Sequence, residues 1–419
     1  MRRAFARAAF AALAAMSRSA AAGEAPAADP DVAAYNYVLG TQTFGIKYQF
    51  TSGNALVETA EAIRRMGSNT IKFFAGPGAA GQYRMTLPPE IASLTALVRD
   101  EPSFRAVLDM PFAHYLMWAY AFAGDEWRTG LSPARRDAIY RELTELCAYL
   151  LTAYRGSGKT FYLGHWEGDW SLLGHTDRTK DPPPEAIRGM IDWLTVRQKA
   201  VDDAVRAHGQ HGVRVFHYTE VNLVAKAMQG GITVTTHVLP HVDVDFVSYS
   251  AYDTLDFAGG ARTENLTKAL DFIASKLPPK PAIAGRRVFI GEYGFPTEIM
   301  KTPGRQDAAT RAVARAGLAW GCPFVLYWEL YCNEIKDGKH RGFWLIDDKG
   351  VEQPVYATHR AFLARGAAFV AAWKKTHGRV PTADEFRAAA VEWLKGDAPL
   401  SAPAGAAPSA PAAARETRP

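Results

Sequence analysis

The stretch RVFIGEYGFP at residues 287–296 carries an apolar run that delivers Glu292 to its end, and a Gly-containing turn follows at once. A short continuous apolar run bounded by turn signals reads as a buried strand. A Glu at the C-terminal mouth of such a strand must be solvated, paired or used. Two readings stand: a carboxylate that does chemistry, or one saturated by backbone donors or a neighbouring Arg.

Along the rest of the chain, strands are predicted near residues 37–41, 70–74, 106–110, 161–165, 213–218, 246–249, 288–291 and 324–328. Helical patterns with start and stop signals lie between them. Residues 54–66 open at Asn54 and stop at Gly67, Ser132 and Pro133 open a long helix through Tyr154, and residues 185–208 end at Gly209. Strands alternating with helices imply parallel pairing through right-handed crossovers, and eight such units suit a closed α/β architecture, the (β/α)8 TIM barrel. The competitor is a doubly wound open sheet, which should show a Gly-rich phosphate turn after its first strand. GTQTFGIKYQF at 40–50 does not match G-x-G-x-x-G. Residues 355–375 supply the closing helix. A further helix at 382–395, with Pro381 before it, a Thr382 to Glu385 capping box and Gly396 after it, reads as a barrel appendage.

The chain has 419 residues, 48% hydrophobic and 11% aromatic, enough for one barrel-sized core or two smaller ones. Arg2, Arg3 and Arg7 precede an apolar run at 8–16 and an A-x-A pattern at 20–22, which reads as a secretory signal over residues 1–22. The expected organisation is a signal at 1–22, a linker at 23–33, a barrel with its helical appendage at 34–396, and a disordered Ala/Pro-rich tail at 397–419. Export to the periplasm or beyond follows. Cleavage after Ala22 removes four arginines and no acid, reducing the formal charge of +5 to +1. The basicity is therefore mostly the leader, which argues against nucleic acid or an anionic membrane as partner. Three cysteines, Cys147, Cys322 and Cys332, are too few for a disulfide scaffold. Cys322 and Cys332 could pair, but a strand between them holds its ends apart.

In a barrel of this type chemistry sits at the C-terminal ends of the strands. The polar residues there are Lys47 and Tyr48; Lys72; Asp109 with His114; His165, Trp166, Glu167 and Asp169; His217, Tyr218, Glu220 and Asn222; Tyr249, Tyr252 and Asp253; Glu292 and Tyr293; Trp328 and Glu329. Two carboxylates facing each other across the mouth are what glycoside hydrolysis needs, and Glu167 and Glu292 are the natural pair. Mutual repulsion and burial would keep one protonated while the other stays ionised. Trp166, Trp170 and Trp328 crowd the same region, where aromatic faces suit the apolar faces of sugar rings.

On these residues the chain resembles the clan of retaining (β/α)8-barrel glycoside hydrolases, over roughly residues 36–375, as a divergent family. GHWEGDW (164–170) is similar to the clan's acid/base segment after strand four, IGEYGFP (290–296) to its nucleophile segment at strand seven, SYSAY (248–252) to the segment bearing a tyrosine that touches the nucleophile, and LYWEL (326–330) to its strand-eight tryptophan. The resemblance implies Glu292 as nucleophile, Glu167 as acid/base and Tyr252 as their companion. It implies a sugar platform from Trp328 and a carbohydrate as substrate. The further candidates for sugar contact, from their place at the strand ends, are Trp166, Trp170, Lys72, His165, His217, Glu220, Asn222 and Tyr249, and no cofactor or metal is expected. Two departures stand out: Trp166 replaces the clan's Asn before the acid/base, and Lys72 replaces its Arg, without the bidentate fork. A slipped strand count would make Glu220 in HYTEVN (217–222) the acid/base.

Other classes remain open at this level. One is a non-catalytic carbohydrate-binding or polysaccharide-assembly protein on the same barrel, and another is a metal-dependent barrel hydrolase using His217, His237 and Asp253. RGSGKT at 155–160 lacks the first Gly of a phosphate loop and precedes a strand instead of following one. The aromatic-rich segment at 111–127 reads either as a helical insertion walling the cleft or as the start of the following helix.

Overall fold

The computed structural model describes residues 29–124, 126–257, 263–396 and Leu400. The predicted leader, most of the linker and the tail lie outside the described residues. Eight parallel strands close into a barrel in sequence order: β1 (Leu39–Thr43), β2 (Thr70–Ala75), β3 (His114–Ala119), β4 (Thr160–Gly164), β5 (Arg214–Val221), β6 (Phe246–Ser250), β7 (Val288–Tyr293) and β8 (Val325–Tyr327), with β8 returning to β1. This is the (β/α)8 TIM barrel, and the additional C-terminal helix is present at Ala383–Trp393.

The helices start where side chains can satisfy orphan amides. Asn54 accepts from the amides of Leu56 and Val57 to open Ala55–Arg65, Ser132 caps Pro133–Ala153, and Thr382 and Glu385 form a reciprocal capping box on Ala383–Trp393. That last helix rests on Pro303–Trp320 and Pro354–His377, with Phe386 and Trp393 packed edge-on against Phe362 and Phe369. Lys374 of Pro354–His377 pairs with Asp29 and Asp31 at the start of the short helix Pro30–Ala34.

Two apolar cores result. The larger fills the space between the strands and the helices, with Ile71, Phe73, Val247, Tyr249, Val288 and Ile290 among its members. The smaller fills the barrel interior, with Leu116, Trp118, Tyr162, Tyr218, Phe246, Phe289, Phe324 and Leu326. Alternate residues of one strand enter alternate cores, as the two-residue period of a strand demands.

One strand lies elsewhere than the periodicity suggests. Residues 106–110, expected as the third strand, are instead the end of the helix Pro102–Asp109 and its C-cap Met110; Glu101 caps the start of that helix through the Phe104 amide at 2.9 Å. The strand is HYLMWA, inside the segment expected to be helical. All six of its residues are buried, and a run buried on both faces shows no alternation by which to recognise it. Asp109 consequently sits at a helix end, accepting from the Tyr154 hydroxyl at 2.9 Å, and His114 starts β3 at the opposite end from the site. All three cysteines are buried free thiols, so Cys322 and Cys332 are not bridged. No helix among the described residues is long and apolar enough to cross a membrane.

Candidate active site

A cavity of about 810 Å³ opens at the C-terminal ends of the strands. Among its lining residues are Glu167, Glu292, Tyr252, Trp166, Trp170, Trp328 and Asn222. These come from the ends of β4 to β8, brought together by closure of the sheet.

Below the cavity, inside the barrel, lies a fully buried ion pair. Lys72 on β2 and Glu220 on β5 both point inward, with Lys72 Nζ 2.8 Å from Glu220 Oε2 and neither side chain exposed. Lys72 Nζ also donates to the Gly291 carbonyl at 2.9 Å and stands 4.6 Å from the centre of the Trp118 ring. Glu220 is saturated: Oε2 accepts from Ser248 Oγ at 2.6 Å as well, and Oε1 accepts the Glu167 amide at 3.0 Å. It is thus a strut under the site that holds the backbone bearing Glu167. Lys72 and Glu220 do not line the cavity.

Glu292 reaches the cavity through an irregularity in β7. Tyr249 pairs with Ile290 but the next residue, Ser250, pairs with Glu292, and on the other side Ile290 and Tyr293 span Val325 and Tyr327. One extra residue at Gly291 therefore forms a bulge, and the strand's in-and-out order shifts by one beyond it. Phe289 enters the barrel core, Ile290 the outer core, and Glu292 lines the cavity, where strict alternation would have sent it outward. Gly291 is required by space: a Cβ there would meet Ser248 Oγ at 1.7 Å.

Glu167 follows β4 and starts the short helix Gly168–Leu173. Loops four and five are stitched by Asp169, whose carboxylate accepts the amides of Asn222, Leu223 and Val234 at 2.9, 3.1 and 2.7 Å, while Asn222 Oδ1 accepts the Asp169 amide at 3.0 Å. Asn222 thus lines the cavity and braces the backbone beside Glu167. The Trp166 amide donates to Tyr120 Oη at 2.9 Å, and Trp166 is 41% exposed at the rim. Trp328 forms a floor with Phe44 and Trp118, its ring 5.7 and 6.4 Å from theirs. Its indole Nε1 donates to Glu334 Oε1 at 3.1 Å.

The electrostatics separate the two carboxylates. Burial, then the charge of Glu292, then that of Glu220 push Glu167 well above the usual carboxylate range. Glu292 is also raised by burial, but its next influence is the Lys72 ammonium, which favours its ionised form. The Tyr252 hydroxyl stands close enough to stabilise that charge too, although Glu292 Oε2 has no partner of hydrogen-bond geometry. Asp253, on the cavity wall, is raised to about 6 by burial despite bonds from the Tyr249 hydroxyl and the Ala225 amide.

His165, His217 and Tyr249 do not line the cavity. Their strands turn them the other way. His217 lies between the inward-facing Phe216 and Tyr218, so its ring meets Arg197 and Gln198 of the helix Pro184–His208, each at 3.2 Å. His165 bonds Thr219 Oγ1 at 2.7 Å, and Tyr249 bonds Asp253 and Thr254. Among the described residues no group of three or more His, Cys, Asp or Glu side chains could hold a metal ion. Several lining residues escaped the sequence reading: Phe44, Trp118, Arg178, Asn333 and Glu334. Trp118 was hidden by the misplaced third strand. Asn333 and Glu334 follow β8 in LYCNEIKDG, where a polar pair after an aromatic strand end was a usable signal.

No protein-family model matches the chain, and no curated protein matches it in sequence. Solved structures do resemble it in fold. One is a family 39 glycoside hydrolase from the gut symbiont Bacteroides cellulosilyticus WH2, at 13% identity and TM-score 0.49, covering 79% of this chain and 64% of that one. Another is a family 5 subfamily 18 glycoside hydrolase variant from Streptomyces cattleya in complex with Manβ1-4GlcNAc, at 13% identity and TM-score 0.49, covering 81% and 84%. A third is a Bacteroidetes-affiliated family 5 cellulase linked with a polysaccharide utilization locus, at 14% identity and TM-score 0.44, covering 86% and 91%. The chain spans under two thirds of the length of the first of these proteins, and all three are glycoside hydrolases.

Proposed function

We propose that this chain is an exported glycoside hydrolase that cleaves a poly- or oligosaccharide by double displacement. The observation that carries the reading is the pair Glu167 and Glu292 facing one aromatic-lined cavity, with the third carboxylate, Glu220, neutralised beneath them by Lys72.

The electrostatic asymmetry supports this division of roles. Lys72 and Tyr252 favour charge on Glu292, while burial and the Glu292 charge favour a proton on Glu167. In the first step a Glu292 carboxylate oxygen forms a bond to the anomeric carbon as the glycosidic C–O bond breaks, and Glu167 gives its proton to the departing oxygen. In the second, Glu167 takes a proton from water, the water oxygen bonds the anomeric carbon, and Glu292 leaves as carboxylate. Each step restores the charge pattern needed for the other. Trp328, Trp166 and Trp170 supply ring faces for the sugar.

Turnover on a panel of polysaccharides tests the reading, together with proton NMR of the first-formed anomer. Glu167→Gln should lower kcat by about 10²–10⁴-fold, and Glu292→Gln should abolish turnover. Inversion at the anomeric carbon would overturn double displacement. Glycan binding without turnover, indifferent to both substitutions, would overturn the enzyme reading in favour of a non-catalytic carbohydrate-binding protein.

A further inference from the structure

Glu334 is a carboxylate of the cavity wall that neither catalytic step uses. Its two oxygens are held separately. Oε1 accepts from Trp328 Nε1 at 3.1 Å, and Oε2 accepts from Arg341 Nη1 at 2.7 Å. Arg341 is itself fixed, bonding Glu298 through Nε at 2.8 Å and lying 5.2 Å from the centre of the Phe343 ring. Glu334 precedes the small hairpin of β9 (Ile335–Lys336) and β10 (Lys339–His340), which places Arg341 across from it. Each oxygen keeps a lone pair beyond the bond it already accepts. Glu334 is therefore a pre-oriented acceptor beside the Trp328 floor, and a sugar hydroxyl is the donor that fits it.

The cavity's charge selects among sugars. Its ionisable lining residues, among those described, are Glu167, Asp253, Glu292, Glu334 and Arg178; with the proton on Glu167, the negative charge facing the cavity comes from Glu292, Glu334 and Asp253. Arg178 is exposed at the rim, where its charge acts on Asp253. Lys72 lies out of reach beneath the floor, bonded to Glu220. The buried Glu292 Oε2, 4% exposed as a residue and without a partner of hydrogen-bond geometry, faces the same cavity. A carboxylate brought there on a sugar ring meets like charges, a juxtaposition that disfavours binding.

Resting on the hydrolase reading, we infer that the cavity takes a hexosyl unit without an anionic group, and that Glu334 is the specificity-determining residue, accepting a hydroxyl of that unit and rejecting hexuronates. The negative charge of Glu334 also raises Glu292, so its removal has a second readout in the pH profile.

Binding is measured calorimetrically on the Glu167→Gln protein, with neutral hexose oligosaccharides and hexuronate oligosaccharides of equal length. The neutral series should bind at least about tenfold more tightly. Glu334→Gln should weaken neutral binding by about tenfold or more, as loss of a charge-assisted hydrogen bond implies, and should narrow the gap to the hexuronates. Arg341→Met, which frees Glu334 without removing its charge, should weaken neutral binding and leave hexuronates excluded. In otherwise wild-type protein, Glu334→Gln should raise KM more than it lowers kcat and move the acid limb of the pH profile to lower pH. The inference falls if hexuronates bind as tightly as neutral glycans, if neutral affinity is indifferent to Glu334, or if neither series binds. If neutral glycans bind through Glu334 but wild-type protein never cleaves them, the hydrolase reading falls and the selectivity stands. If wild-type protein cleaves hexuronates, the selectivity falls and the hydrolase reading stands.

Discussion

Replacing Lys72 by Met tests the strut beneath the site. The ammonium and the Glu220 carboxylate are 2.8 Å apart and wholly buried, an attraction of about 6 kcal/mol at an effective dielectric of about 20. The two charges also pay to leave water, so the pair's net worth is far smaller than this. Removing one partner is a different matter, because Glu220 is then an uncompensated charge in the barrel interior, retaining only Ser248 Oγ and the Glu167 amide. The expected loss of unfolding free energy is about 3–5 kcal/mol. Chemical denaturation read by tryptophan fluorescence measures it. The double variant Lys72→Met/Glu220→Gln keeps the acceptor for the Glu167 amide without the charge, and should recover most of the loss, with a coupling of at least about 2 kcal/mol. In the single variant Glu292 also loses the cation that favours its ionised form, so the acid limb of the pH–activity profile should rise. A single variant within about 0.5 kcal/mol of wild type, or a double variant no better than the single, would refute the strut.

Gly291→Ala forces a Cβ to within 1.7 Å of Ser248 Oγ and should cost about 1–3 kcal/mol, with activity falling more than stability because the bulge aims Glu292. Denaturation and kcat measured on the same preparation check both. Tyr252→Phe removes a hydroxyl that stabilises the Glu292 carboxylate, so the acid limb should shift to higher pH with kcat down about tenfold to a hundredfold. His114 is buried with both ring nitrogens unpartnered and its pKa is lowered by burial to about 3. The unfolded chain binds this proton below about pH 6.5 and the folded chain does not until near pH 3. Stability therefore falls as pH drops through that window, by about 2 kcal/mol at pH 5 for this residue. His114→Leu should flatten that part of the stability profile, as thermal melts between pH 7 and pH 5 would reveal.

Much of the scaffold was legible because its signals are local. Asn54, Ser132 and Thr382 are caps whose side chains bond amides two or three residues away, and each helix begins where they indicate. Glu167 and Glu292 were also readable, as carboxylates at strand ends. The third strand was not, because HYLMWA is buried on both faces and carries no period. His217 shows a signal that was present and unused: the order Phe216, His217, Tyr218 alternates, and a histidine flanked by two inward aromatics must face the helices.

The sequence alone determined that eight strands alternate with helices, the starts of the capped helices at Asn54, Ser132 and Thr382, and the two candidate carboxylates, since these rest on spacing and nearest-neighbour chemistry; it misplaced the third strand. Only closure of the barrel decided which charges cancel and which remain. Lys72 and Glu220 are 148 positions apart and meet because β2 and β5 face each other across the interior. Glu292 sits in the cavity because one extra residue at Gly291 shifts the strand's phase, and that shift is defined only against β6 and β8. Pairing register and through-space charge are properties of the closed sheet, and no segment read by itself contains them.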